Sequence, residues 1–359
     1  MDRIIRQCNP VQGATFGQTP TLDLQLGPRY RSLLFEIFVV NQYTGGAGLI
    51  PTINDALDLI TVKIGGNPQR THTAWELDQV NKSYGAQYGL NAYKTVSGAI
   101  AWSNGVPVAP AAGLADHTVG TVFYLPIFFR EPWRNSYAAQ EMFAWYTAWS
   151  NGSVLPSFSV DLKVPAASAN IYAAGGITIN CYSETDTAVG PLDANKNPVA
   201  MITKWKRQGL VYSGAGDLVV TNLNKREIYS QISLFSGYKN GKGPFAGNTP
   251  AQLVTDQNDL TAFDAISRVK VEVDNRTVRD TSKILNDQTL CGDDFNEAAL
   301  PADRFDVVFD KSDLPTDGLV MEANGATVKD LRLTATLATA AAENKTINAL
   351  MQVFGAIER

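Results

Sequence analysis

The amino-acid sequence predicts an all-β protein: two tandem eight-stranded jelly-roll β-sandwiches with a few short helices in loops. Three observations carry this. Several segments alternate apolar and polar residues with a period of two, the pattern of a strand with one covered face. The stretches between them are rich in Gly, Pro, Asn and Ser, which make turns. The strand-like segments of the first half also return, in the same order, in the second.

Bulk properties set the frame. At 359 residues the chain is long for one core, so two domains are expected. With 45% hydrophobic and 18% charged residues it has enough apolar surface to fold, which excludes the disordered class. The formal net charge is −5, and neither half is basic: residues 1–180 carry 11 basic and 11 acidic side chains, residues 181–359 carry 19 and 24. Direct nucleic-acid binding needs a Lys/Arg excess on some face and is not expected. Cys8, Cys181 and Cys291 have neither zinc nor CxxC spacing and read as free thiols of a reducing cytoplasm. MDRIIRQCNPVQG lacks the apolar core of a signal peptide, and the longest apolar run, TVFYLPIFF, is far short of the ~20 residues of a spanning helix. Neither conventional secretion nor membrane insertion is expected.

The elements follow in order. Residues 1–20 read as an N-terminal arm and 21–183 as the first roll. SLLFEIFVV and TVFYLPIFF are apolar on both faces and read as central strands. EPWRNSYAAQEMFAWYTAW (131–149) predicts a helix, with Ala138, Met142, Trp145 and Trp149 on one face and Pro132 in its first turn. SFSVDLKV returns to strict alternation. Residues 184–200, rich in Pro, Asn and Asp, read as the linker. The second roll, 201–359, contains RVKVEV and DLRLTATL, again alternating, and ENKTINALMQVFGAIER, whose Ile347, Leu350, Met351 and Phe354 predict a C-terminal amphipathic helix. Long loops at 91–118 and 237–260 are expected to carry outward-facing features.

The repeat is most visible in DLITVKIGGNPQRTHTAWELDQ (58–79) and AISRVKVEVDNRTVRDTSKILNDQ (265–288). Each has a Val-Lys strand, then an Arg (Arg70, Arg279), then Asp-Gln eight positions later. Around them RSLLFEIFVV, TVFYLPIFF and VDLKV (160–164) are echoed by REIYSQISLF, RFDVVF and KDLRL (329–333). A structural duplication accounts for four matches in one order.

Catalytic and cofactor chemistry is hard to find. His72 follows a strand, and His117 sits beside Asp116 in a long loop; with no HxH spacing, a cupin-type metal site lacks ligands. GKGPFAG and SGAGDL are neither dinucleotide nor phosphate loops and read as turns. DANKNP (193–198) begins like a calcium loop, but Pro198 replaces the glycine and Lys204 the closing glutamate. NGS (151–153) and NRT (275–277) match glycosylation sequons with no secretory context. Trp133, Trp145 and Trp149 are candidates for sugar stacking, although aromatics at helical spacing usually serve a core. No paired carboxylates stand out. No cofactor, metal or enzymatic activity is expected.

With these segments in place, the chain resembles the double jelly-roll major capsid proteins of tailless icosahedral viruses with an internal membrane, the tectivirus type, to which adenovirus hexon is a distant relative. LDLITVKIGGNPQRTHTAWELDQVNKSYGAQY resembles that family's first-roll strand, its tip turn and the segment with Trp-x-Leu and Val-Asn. GTVFYLPIFFREPWRNSYAAQEMFA resembles its aromatic strand and the helix placed between the F and G strands, LPSFSVDLKV its next strand, and NKREIYSQISLFSG the strand opening the second roll. The resemblance implies a structural subunit of a bacterial virus, forming pseudo-hexagonal homotrimers that tile a shell around a membrane. Its partners would be itself, neighbouring trimers and penton or minor capsid proteins, in a virion assembled in the host cytoplasm. The family's long N-terminal helix is not expected here, because about twenty residues precede the first predicted strand. Arg3, Ile4, Ile5 and Arg6 instead suggest a contact with lipid or with a neighbour. A carbohydrate-binding or carbohydrate-active tandem sandwich and a viral spike or minor coat protein are the rival readings.

Overall fold

A computed structural model of the chain describes residues 3–44, 47–48, 51–85, 92–95, 100–103, 106–107, 119–168, 170–212, 215–225, 227–239, 266–293, 304–310, 318–320, 322–323, 326–338 and 345–357. Sixteen principal strands fall into two sets of eight, numbered here in chain order. The first set is β1 (Ile4–Gln7), β2 (Thr21–Asp23), β3 (Arg29–Val40), β4 (Leu59–Ile64), β5 (Asn67–Thr73), β6 (Val119–Phe128), β7 (Phe158–Leu162) and β8 (Ile177–Asp186). The second is β9 (Met201–Tyr212), β10 (Gly216–Val220), β11 (Ile228–Lys239), β12 (Ile266–Val273), β13 (Arg276–Ser282), β14 (Arg304–Val308), β15 (Leu331–Leu337) and β16 (Lys345–Ala356).

The pairing of the first set is β1-β8-β3-β6 in one sheet and β2-β7-β4-β5 in the other. The second set gives β9-β16-β11-β14 and β10-β15-β12-β13. Adding eight to each strand number turns one roll into the other, the alternation of two four-stranded layers that defines a jelly roll. Short strands at 92–95, 100–103 and 106–107 extend the first sheet beyond β6. Each roll has its own core. Phe35, Ile37, Phe123, Leu125 and Ile127 of one layer face Ile60, Val62, Phe158 and Val160 of the other. In the second roll Ile232, Leu234, Phe305, Ala349 and Val353 face Val269, Val271, Leu331 and Leu333. The rolls are joined edge to edge: β5 runs parallel to β9 with Arg70 opposite Trp205, so β2-β7-β4-β5 and β9-β16-β11-β14 form one eight-stranded sheet.

The four sequence echoes fall on equivalent strands: β3 with β11, β4 with β12, β6 with β14, β7 with β15. Finer features repeat too. The Tyr30 and Tyr229 hydroxyls each donate to a carbonyl five residues upstream, Gln25 O and Asn224 O, both at 2.7 Å. The same irregularity follows in each roll, with Arg31 and Ser230 skipped by the ladder. The β4–β5 and β12–β13 hairpins turn on two residues with positive φ, Gly65-Gly66 and Asp274-Asn275, as a turn matched to strand twist requires. A helix follows each hairpin: α2 (Ala74–Ser83), after α1 (Ile53–Ala56), and α4 (Lys283–Asp293). Thr73 and Glu76 cap α2 reciprocally, and Ser282 caps α4. A buried helix asparagine then ties each to the next strand, Asn81 Nδ2 to Pro126 O (2.9 Å) and Asn286 Nδ2 to Asp306 O (2.7 Å).

Several expectations are corrected. The C-terminal segment is β16, not a helix. It lies between β9 and β11, and Ile347, Leu350, Met351 and Phe354 are buried together with Ala349 and Val353. A run covered on both faces fits either period. The helix expected over 131–149 shortens to α3 (Tyr137–Met142); Trp145 pairs with Tyr30 in a short strand and Trp149 lies in the core. In each roll a helix, α2 or α4, lies between the fifth and sixth strands, whereas α3 follows the aromatic strand β6 and lies between the sixth and seventh strands of the first roll alone among the described residues. The stretch read as an arm contains β1, the first strand of the first roll, and the linker starts after β8 has already taken Glu184 to Asp186. Within the linker the calcium-like DANKNP closes on itself: Asp193 Oδ1 accepts from the amides of Asn195 (2.8 Å) and Asn197 (2.7 Å). His117 and most of the loops 91–118 and 237–260 lie outside the described residues.

Candidate functional site

The most heavily built polar region is the junction between the rolls. Arg70, on β5, is 1% exposed. Its Nε donates to Thr203 O on β9 (2.8 Å) and its Nη1 to Phe128 O (2.5 Å). The guanidinium carbon sits 5.3–5.4 Å from the ring centres of Phe129, Trp145 and Trp205. Burial pulls its pKa down to about 9, opposed by the charge of Glu131, so it remains a cation at neutral pH. A charge so enclosed persists only where its donors are matched, and here they clamp backbone of both rolls.

Other contacts reinforce it. Arg207 Nε on β9 meets the Glu76 carboxylate on α2 at 2.9 and 3.1 Å. Trp75 and Phe235 rings pack 5.3 Å apart. Tyr84 Oη donates to Gln231 Oε1 (2.6 Å). Arg304 on β14 donates to Gln79 O (2.8 Å) and Ser83 Oγ (2.5 Å) of α2 while paired with Asp306 (2.6 Å). Arg134 bridges Glu131 and Asp310, Thr203 Oγ1 donates to Glu131 Oε1 (2.7 Å), and Phe143 stacks on Phe354 at 4.5 Å. His72, expected after a strand, is buried within β5 against Trp205, its ring centre 5.1 Å from the indole. Burial, with repulsion from Arg70 and Arg207, drives its pKa down to about 3, so it is a neutral packing group.

A second charged cluster lies under the N-terminal strand. Arg29 binds Asp186 through Nε (3.0 and 3.1 Å) and Nη2 (2.5 Å), and Arg31 binds Glu141. Arg3 reaches Glu184 at 3.0 Å. Of the residues nominated from sequence, Arg3, Ile5 and Arg6 are exposed and Ile4 is half-buried; Ile4, Ile5 and Arg6 lie on β1 and Arg3 just before it, and the outer edge of β1 carries no further strand among the described residues. The end of β1 borders a groove of about 470 Å³ lined by Arg6, Cys8, Asp23, Gln25 and Tyr30. There the Cys8 thiol hydrogen-bonds Cys181, which lowers the pKa of Cys8, while burial raises that of Cys181; none of the three cysteines is in a disulfide. Trp145 and Trp149 are buried, and Trp133 is stacked on Tyr84 at 4.5 Å. They form core and junction rather than a sugar platform. Among the described residues no cluster of His, Cys, Asp and Glu is placed to hold a metal.

Sequence reasoning singled out Arg70 as half of a repeat but not as the junction's centre. The available signal was the return of the arginine as Arg279 in the repeat, since the rings that enclose Arg70 come from distant positions.

The geometry defines a tandem double jelly roll with its two units fused through one sheet. By sequence the chain matches no protein-family profile and no curated protein. By structure it is similar to the major capsid protein of bacteriophage PM2, with TM-score 0.64 and 12% identity over 100% of this chain and 99% of that one. It is similar also to a chain of Sulfolobus Turreted Icosahedral Virus (TM-score 0.65, 9% identity, 99% and 91% covered) and of the PBCV-1 virus capsid (0.61, 10%, 100% and 97%). The fold is that of the double jelly-roll major capsid proteins.

Proposed function

We propose that the protein is a major capsid protein, a structural subunit without catalytic activity that assembles as a pseudo-hexagonal homotrimer and tiles an icosahedral shell. The observation that carries this reading is the strand-for-strand duplication, locked side by side by the Arg70 junction. Facets favour six neighbours, and three chains of two similar rolls present six similar corners. A closed ring also avoids the open filaments that head-to-tail contacts otherwise generate. Structural similarity to viral capsid chains over their full lengths supports it. In this reading the shell encloses an internal membrane, the virus infects a bacterium, and further partners are neighbouring trimers and penton or minor capsid proteins. The carbohydrate reading loses its aromatic platform to the core.

The test is the native mass by light scattering behind a sizing column. A trimer at three times the 38.9 kDa of one chain is expected. A chain that stays monomeric at high concentration would overturn the proposal.

A further inference from the structure

We propose that β13 and α4 of one copy receive β1 of the next, so that the junction inside the chain is repeated between chains with Arg279 in the place of Arg70 and Ile5 in the place of Trp205. This rests on the trimer reading above and names the surfaces that build it.

The argument begins with the edges. Inside the chain, β5 and α2 are covered by β9 of the second roll. Their equivalents β13 and α4 have no such cover: among the described residues β13 pairs only with β12. The equivalent of β9 is β1, which pairs only with β8. The duplication therefore leaves two open edges, and they are the two halves of a contact the chain already makes once. Open strand edges invite pairing with another chain unless blocked.

The register can be read residue by residue. Ile5 lies opposite Glu184, and Glu184 opposite Ser32, two residues after the corner Tyr30. Trp205 lies opposite Gln352, and Gln352 opposite Gln231, two residues after the corner Tyr229. Ile5 thus matches Trp205, and Arg3 matches Thr203, whose carbonyl accepts from Arg70. On the other edge Arg279 stands 209 residues from Arg70, the same spacing that relates Ile284 to Trp75 and Leu285 to Glu76.

Exposure follows this logic. Trp205 is 3% exposed but Ile5 is 63% exposed; Glu76 is fully buried, while Ile284 and Leu285 are 78% and 59% exposed. Arg279 Nε is out of contact with water and has no hydrogen-bond partner among the described residues. In the proposed contact Arg279 donates to the Arg3 carbonyl, as Arg70 does to Thr203, and Ile5 covers apolar surface beside Ile284. The contact is head-to-tail, and three copies close it into a ring of six rolls.

The full-length chain tests this in three measurements. Arg279→Glu should keep the wild-type circular dichroism and weaken each contact by about 30-fold or more, shifting the mass towards one chain. The double variant Ile5→Cys/Arg279→Cys, oxidised, should give covalently linked trimers on a non-reducing gel, with oxidised wild type as the control for Cys8, Cys181 and Cys291. Mixing the two single variants should give linked dimers. A wild-type trimer that neither cross-links through 5 and 279 nor responds to Arg279→Glu would overturn this contact and leave the trimer standing. A monomeric wild type would overturn both.

Discussion

The β5–α2 edge and the β13–α4 edge are built from the same parts: a two-residue turn, a seven-residue strand, an arginine, a capped helix and a buried asparagine tether. One is sealed and the other open. On the sealed edge Gln69, Arg70 and His72 are buried; on the open edge Val278 is exposed and Arg279 only partly covered. Strand and helix geometry are thus set by local pattern, whereas the role of each side chain is set by what arrives on the far side. A buried cation is a liability until a neighbour supplies carbonyls, and a surface leucine is a liability until a neighbour covers it.

The largest expected effect breaks the sealed edge. Arg70→Ala removes the donor from Thr203 O and Phe128 O and empties the space between three aromatic rings. Losing a buried, fully engaged charge costs about 3–5 kcal/mol, read from the urea midpoint. Arg279→Ala, compared in an Ile5→Asp background that keeps chains apart, should change the same midpoint by no more than about 0.5 kcal/mol. Similar losses at both positions would mean that the edges do not differ as described.

The second effect comes from His72, whose counterpart on the open edge is Thr281, with no charge at any pH. The folded pKa of His72 is about 3, against about 6.5 unfolded. Between those values the unfolded chain binds a proton that the native chain refuses. The stabilisation is complete above pH 6.5 and is lost as pH falls towards 3, at about 1.4 kcal/mol per unit. His72→Phe keeps a ring against Trp205 and should remove that slope while leaving Thr281→Val without effect on it. An unchanged acid slope in His72→Phe would place the acid sensitivity elsewhere.

The same contrast explains what could be read in the sequence. Patterns internal to a strand were legible: β3, β4, β6, β7 and their partners in the second roll alternate or run apolar over five residues or more. β1 spans four residues, too few to show a period. β16 is covered on both faces, and its apolar residues satisfied a helical period by excess. Trp145 and Trp149 fell on a helical face by spacing, but Ser136 and Phe143 end α3 within two turns. The junction was legible only as repetition. Arg70 and Arg279 stand out as a shared letter, and nothing local says that one is enclosed by three rings and the other lies at an edge, because the enclosing residues come from more than fifty positions away.

The smallest effect concerns the turns that lead into the two edges. Gly65 and Gly66 have φ of 59° and 83°, Asp274 and Asn275 of 47° and 63°. A side chain at Gly66 meets nothing within 4 Å, so Gly66→Ala tests backbone conformation alone. The left-handed region costs an L residue about 1–2 kcal/mol, and the stiffer unfolded chain returns about 0.4–1, leaving a net loss of about 1 kcal/mol. Asn275→Gly relieves the same strain and loses the same entropy, so it should stay within about 0.5 kcal/mol of wild type. Asp274→Gly should be worse than Asn275→Gly, because the Asp274 carboxylate accepts from the amides of Lys329 (2.9 Å) and Asp330 (2.8 Å) and so ties the turn to the chain entering β15. That tie has no glycine counterpart in the first roll. If Asp274→Gly and Asn275→Gly unfold at the same urea concentration, the second hairpin is held by its ladder alone, and the two turns differ in sequence without differing in work.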